Sequence, residues 1–170
     1  ISRGIRTPLN VVVGLARLLT RTDDIETMKR YAGQMNGQID YLVCALGTSG
    51  TIMGLSRFLK MMKPDIQTVC AHPVKGHYIQ GLKNMEEAIV PAIYDPSKID
   101  IQEMIESEEA IATARRIIIS EGIFAGMSSG AAMLAAMRTA ERIDRGNIVV
   151  VFPDRAEKYL STRMFQDFKV

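Results

Sequence analysis

The sequence predicts an α/β fold: an open parallel sheet with helices on both faces, preceded by a helical N-terminal segment. Three observations lead there. The apolar run 42–46 lacks the in-out alternation of a half-exposed strand, as expected when both faces are covered, and 39–46, 66–71 and 147–152 read as strands. Stretches of helical period separate them, and strands alternating with helices argue for a parallel sheet. Two glycine turns, Gly47-Thr48-Ser49-Gly50-Thr51 and Gly126-Met127-Ser128-Ser129-Gly130, each lead from an apolar segment into a helix.

Composition sets the outer bounds. A chain of 170 residues with 47% hydrophobic content can bury one good core. Its 21 basic residues nearly balance 19 acidic ones, so charge gives no case for nucleic acid as a partner. Cys44 and Cys70 lie in apolar runs and read as reduced core thiols, not as a disulfide or metal site. His72 and His77 have no cysteine or acid at ligand spacing, so no metal is assigned. No apolar run approaches the ~20 residues that span a bilayer, and no leader pattern opens the chain. The expectation is a cytoplasmic chain with no membrane partner.

Residues 1–36 read as a helical segment, with a hairpin as one arrangement, and residues 37–170 as the α/β domain. In the first segment Leu9, Val12, Val13, Ala16 and Leu19 form a helical stripe after Thr7-Pro8, and Thr22-Asp23-Asp24 marks a new start. Ser2, Ile5, Arg6, Thr7, Pro8, Leu9 and Asn10 resemble the phosphoacceptor helix of sensor histidine kinases. Arg3 stands at the phosphorylated histidine and Gly4 at the adjacent acid, so the resemblance implies packing or dimerisation and no phosphotransfer.

In the domain, 39–46 is expected as a strand, 53–62 as a helix ended by Lys63-Pro64-Asp65, and 66–71 as a second strand. Residues 72–100 form a long loop excursion; such loops are commonly lids or binding loops, and the alternative is a surface connection with a short helix at 82–89. Ser107-Glu108-Glu109 opens a helix to Ser120, with Ala110, Ile111, Ala114, Ile117 and Ile118 facing inward. A further helix runs from Ala131 to about Ile143, and 147–152 is the last strand, ending at Pro153-Asp154.

The chemistry collects at strand ends, where open α/β sheets place ligands. A strand entering a helix through Gly47–Thr51 leaves N–H groups unpaired beside the positive end of the helix dipole, a cradle for phosphate or another anion. Thr48, Ser49 and Thr51 add hydroxyl donors. No lysine follows Gly50, so the stretch is not a P-loop. An ordinary capped turn is the alternative. Ser128 and Ser129 sit at a second helix start, where capping and hydrogen bonding to a ring nitrogen are both open.

Four stretches in order, QIDYLVCALGTSGTIMGLSRFLK, HYIQGL, EGIFAGMSSGAA and VVVFPDRAEKYLST, resemble the C-terminal half of cysteine synthase (O-acetylserine sulfhydrylase), a fold-type II pyridoxal-phosphate family. The resemblance covers residues 38–165. It implies pyridoxal 5′-phosphate as cofactor, with Gly47, Thr48, Ser49, Gly50 and Thr51 on its 5′-phosphate and Ser128 at its pyridine nitrogen. It implies a small amino-acid substrate, a homodimer, and replacement of the acetoxy group of O-acetylserine by sulfide to give cysteine. Ser49 stands where the family has glycine, and Ala156 stands at the glycine of PDxGxRY. The family's cofactor-carrying lysine motif has no counterpart here, so catalytic residues are unassigned and an incomplete or inactive chain is expected. The alternative is a non-catalytic module that binds phosphate or pyridoxal phosphate, or dimerises.

Overall fold

The computed structural model describes residues 39–166, and the helical segment expected at 1–36 lies outside them. The apolar run after Ile39 becomes β1, Tyr41–Ala45, with its three central residues buried. β2 is Gln67–Pro73, β3 is Ile101–Ile105 and β4 is Ile148–Val150. All pair in parallel, in the order β3-β2-β1-β4. Cys44 lies directly opposite Cys70 in the β1–β2 register, and both thiols are buried. Burial pushes the Cys70 thiol up to about 12 and raises that of Cys44 as well.

The missing alternation is explained by helices on both faces. Helix α1, Gly50–Met62, puts Ile52, Met53 and Leu59 in one core with Leu42, Cys44 and Cys70. Helices α2, Ser107–Glu121, and α3, Met127–Ala140, cover the other face, where Val43, Val69 and Val150 point. Helix α3 packs on both the sheet and α2, so it is lined with small buried residues: Ala131, Ala132, Ala135 and Ala136. At Gly130 a Cβ would lie 2.2 Å from the Ala110 carbonyl oxygen, so only glycine permits this approach of α2 and α3. Met53, Met127 and Met164 are core residues, while Met61 and Met104 are exposed.

Strand β3 lies within a stretch the sequence left unassigned. It is an edge strand in which exposed Gln102 and Met104 alternate with buried Glu103 and Ile105, so it carries no apolar run. The short helix considered at 82–89 is absent. Asn84 instead donates Nδ2–H to Pro73 O at 3.0 Å and accepts the Glu86 N–H at 2.9 Å, a side-chain turn that competes with helix. Helix α1 starts at Gly50, and α3 starts at Met127 and ends at Ala140, so both helices begin inside their glycine turns. The cap of α2 is Glu106, which forms a reciprocal capping box with Glu109. With Ala156 in place of glycine the last turn still closes: a 3-10 turn spans Ala156–Tyr159, and the Ala156 N–H donates to Phe124 O at 3.0 Å. Among the described residues no helix is long and apolar enough to cross a membrane.

The strand order has one consequence for function. The chain leaves β1 toward β2 and β3, then returns to place β4 on the opposite side of β1. Winding reverses between β1 and β4, and it is at such a point, outside the carboxyl ends of the strands, that open α/β sheets place ligands. Residues 46–51 and 151–155 flank that point.

Candidate functional site

The loop after β1 begins where the ladder ends. The Leu46 N–H donates to Ala71 O at 2.8 Å, and the next ordinary bond of this segment is Met53 N–H to Ser49 O at 2.9 Å. Among the described residues, none of the six N–H groups from Gly47 to Ile52 donates a hydrogen bond. Three of them belong to the first turn of α1, which leaves its N–H groups unpaired by geometry. Ser49 is the N-cap, yet its side chain makes no capping bond and its backbone is left-handed, at φ 65° and ψ −11°. Thr48, Gly50 and Thr51 are exposed, and a Cβ built on Gly50 meets nothing within 4 Å. The loop is thus a run of unpaired donors, open at Gly50, at the positive end of a 13-residue helix.

The excursion folds back over this loop and joins it to the start of α3. Lys83 N–H donates to Leu46 O at 2.8 Å. Gly81 has φ +89°, and a Cβ on Gly47 would sit 2.5 Å from the Gly81 oxygen, so the two glycines permit a backbone contact that side chains would block. On its other side, the Ser128 hydroxyl donates to Gln80 O at 2.8 Å. The HYIQGL segment therefore lies between the Gly47–Thr51 loop and Ser128. Its outer end is held on α2: the Ser107 hydroxyl donates to Tyr78 O at 2.9 Å, and His77 Nδ1 accepts the Ser107 N–H at 3.2 Å.

Neither serine caps α3 with its own side chain. That task falls to Asp154, 25 residues away beyond β4. Its carboxylate accepts the Ser128 N–H at 3.0 Å, the Ser129 N–H at 2.8 Å, the Ser129 hydroxyl at 2.6 Å and the Tyr159 hydroxyl at 2.6 Å. A carboxylate at a helix N-terminus is favoured by the dipole and by charge-assisted bonds. Burial, and then the bond to Asp154, pushes the Tyr159 phenol well above its ordinary value, so it remains a proton donor. Asp154 and Tyr159 thus fix where Ser128 stands. The sequence flagged Asp154 only as a strand-end residue. The signal that could have found its partner is the spacing from Asp154 to Tyr159 inside the PDRAEKYL stretch.

The histidines stay apart from this constellation. His72, on β2, is half-buried, and desolvation lowers its pKa. His77 is exposed on the excursion. Among the described residues, no group of three or more His, Cys, Asp or Glu is placed to hold a metal.

The family model "Pyridoxal-phosphate dependent enzyme" matches residues 23–154. A cysteine synthase of Aquifex aeolicus is 42% identical over 139 residues, which are 79% of this chain and 42% of that protein. Cysteine synthase A of Escherichia coli is 38% identical over 152 residues, covering 78% of this chain and 46% of the relative. Among solved structures, O-acetyl serine sulfhydrylase isoform 3 from Entamoeba histolytica superposes with a TM-score of 0.75 at 32% identity, covering 84% of this chain and 45% of its own. O-ureido-L-serine synthase gives the same TM-score at 31% identity, with 84% and 48% covered. The chain spans less than half the length of each of these proteins.

Proposed function

Because the chain belongs to the pyridoxal-phosphate dependent enzymes, we propose that it forms the phosphate-holding half of a cysteine-synthase-type site for β-replacement of O-acetylserine by sulfide. The observation that carries this reading is the run of six unpaired N–H groups at residues 47–52, directly after β1 where the winding reverses between β1 and β4. These residues suit a phosphate: their N–H groups donate to no acceptor of the chain, and a Cβ at Gly50 would meet open space. Pyridoxal phosphate, when bound, supplies an electron-withdrawing ring that stabilises negative charge at a substrate's α-carbon. Thr48 and Thr51 would add hydroxyl bonds to its 5′-phosphate. Ser128 offers a neutral hydroxyl, which can donate a hydrogen bond to a ring nitrogen without giving up its proton. Asp154, itself bonded by Tyr159, holds that serine in place. An amino-acid substrate, a homodimer and a cytoplasmic setting belong to the same reading.

Titration with inorganic phosphate or pyridoxal phosphate is expected to slow amide exchange at residues 47–52. Each charge-assisted bond contributes about 1.5–3 kcal/mol. Gly50→Val is expected to abolish the protection by filling the open space at Gly50 with a side chain. Protection elsewhere, with none at this loop, would reduce the turn to a connection. Little or no cysteine synthesis is expected from this chain alone, since none of its lysines lies in the family's cofactor-carrying context. Turnover like that of an intact cysteine synthase would reassign that role.

A second reading, a non-catalytic module that holds the cofactor, is favoured by the same lysine pattern and by the bond that already engages Ser128 with Gln80. Borohydride separates the two: covalent trapping of the cofactor on this chain supports the catalytic reading, and reversible binding without trapping supports the module.

A further inference from the structure

His72 lies near the carboxyl end of β2, on the face it shares with Cys70 two residues back. The excursion covers that face with Met85 and Tyr94. The His72 Nδ1 is buried and has no hydrogen-bond partner among the described residues. The acceptor nearest in sequence is already in use: the Pro73 carbonyl takes the Asn84 Nδ2–H at 3.0 Å. Asn84 is itself buried and organises the turn that follows it. Its side chain accepts the Glu86 N–H, and its carbonyl accepts the N–H groups of Glu87 and Ala88. One residue before it, the Lys83 N–H ties the excursion to Leu46. The bond from Asn84 to Pro73 therefore pegs the excursion to the sheet, and His72 stands beside the peg.

A neutral ring with its proton on Nε2 suits this arrangement, because Nδ1 is then an acceptor without a donor. A charged ring does not, since both nitrogens must donate and a buried N–H without an acceptor is unfavourable. Burial holds the His72 pKa below the ordinary 6.5, against the Pro73 carbonyl and the Glu86 carboxylate, which favour the charged ring. The remaining groups around it add little charge. Lys75 lies 3.9 Å from Glu86, burial keeps the Cys44 and Cys70 thiols and the Tyr94 phenol neutral, and the partner of His72 on β3 is Met104. Glu103 beside Met104 is paired with Arg142.

We propose that His72 is an acid-sensitive latch on the excursion: once protonated, its Nδ1–H donates to the Pro73 carbonyl in competition with Asn84, and the turn at 84–88 loosens. A charge-assisted bond is roughly twice as strong as a neutral one, so the charged ring wins the carbonyl. The closed turn disfavours the proton, so closure is at full strength above the ordinary 6.5 and weakens as pH falls below it. Lys83 and Gly81 carry the excursion's contacts to the loop after β1, so the latch sets how firmly the excursion lies on that loop. The device needs no ligand and stands apart from the cofactor reading.

Amide exchange of the full chain, corrected for intrinsic rate, tests it between about pH 7 and about pH 5. The amides of residues 86–88 are expected to exchange about fivefold faster at the lower pH, the loss of one neutral bond. His72→Phe, which has no titrating nitrogen, is expected to remove that step. Asn84→Ala is expected to give fast exchange at 86–88 at both pH values, with no step left. In the parent chain, which needs no substitution to be read, the NMR shift of the His72 ring is expected to titrate below 6.5 together with the step. A ring that titrates without any change at 86–88 overturns the proposal, and so does a step that survives His72→Phe. An acid step confined to residues 77, 78 and 107 also overturns it, because His77 Nδ1 accepts the Ser107 N–H and would then be the group that responds.

Discussion

Four donors converge on the Asp154 carboxylate, two from backbone and two from hydroxyls. Removing the acceptor strands Ser129, which is 0% exposed, without its strongest partner. Asp154→Ala is expected to cost about 3 kcal/mol in urea unfolding, whereas Tyr159→Phe, which removes one donor of four, should cost about 1 kcal/mol. Equal losses would mean that the phenol bond alone holds the network. At this scale the sequence was legible where the chemistry was local. The donor loop at 47–51 could be read because strand, turn and helix are contiguous. Asp154 as the anchor of α3 could not, since the contact spans 25 residues. Nor did residue type reveal that the left-handed position would fall on Ser49, with Gly50 at ordinary φ.

The contact between α2 and α3 and the tie between α1 and the sheet show what holds elements together. A methyl group at Gly130 has nowhere to go, because the obstacle is the backbone of α2. Gly130→Ala should force the helices apart and cost about 1–3 kcal/mol, read from the urea midpoint. An unchanged midpoint would mean that α2 slides freely on α3. On the opposite face, Lys60 of α1 pairs with Asp100 at 2.6 Å, and Asp100 also accepts the Thr68 N–H at 2.7 Å. Partial burial raises the Asp100 pKa, but the bonds from Lys60 and Thr68 outweigh it, so the carboxyl titrates below its ordinary 3.8. A depressed folded pKa gives stability that is present above the unfolded value and lost as pH falls through the folded one. Unfolding free energy is expected to decline below about pH 4, and Asp100→Asn should flatten that decline; an unchanged slope would assign it to other carboxylates. Elements with full burial were legible in the sequence. Strand β3 was not, because an edge strand needs no apolar run, and the short helix considered at 82–89 yielded to the two bonds of Asn84.

At the scale of the whole molecule, the fold class was legible because the central strand β1, covered on both faces, follows an unbroken apolar run and strand-like and helical stretches alternate along the chain. The strand order was not, since no local pattern says that β4 returns to the far side of β1. That order places β1 and β2 in the middle of the sheet and sets Cys44 against Cys70 there. The two sulfurs therefore make a built-in clock. A thiol with a pKa of about 12 offers almost no nucleophile near neutral pH, and neither sulfur is open to solvent. An alkylating reagent can reach them only when the central strands part. The speed of modification should then track the equilibrium between native and open chains, slowing about tenfold for each 1.4 kcal/mol of added stability. Mass spectrometry should find chains carrying no label or two, with few carrying one. A large singly labelled population would reveal that one central strand peels away before the rest, and the modified peptide would say which.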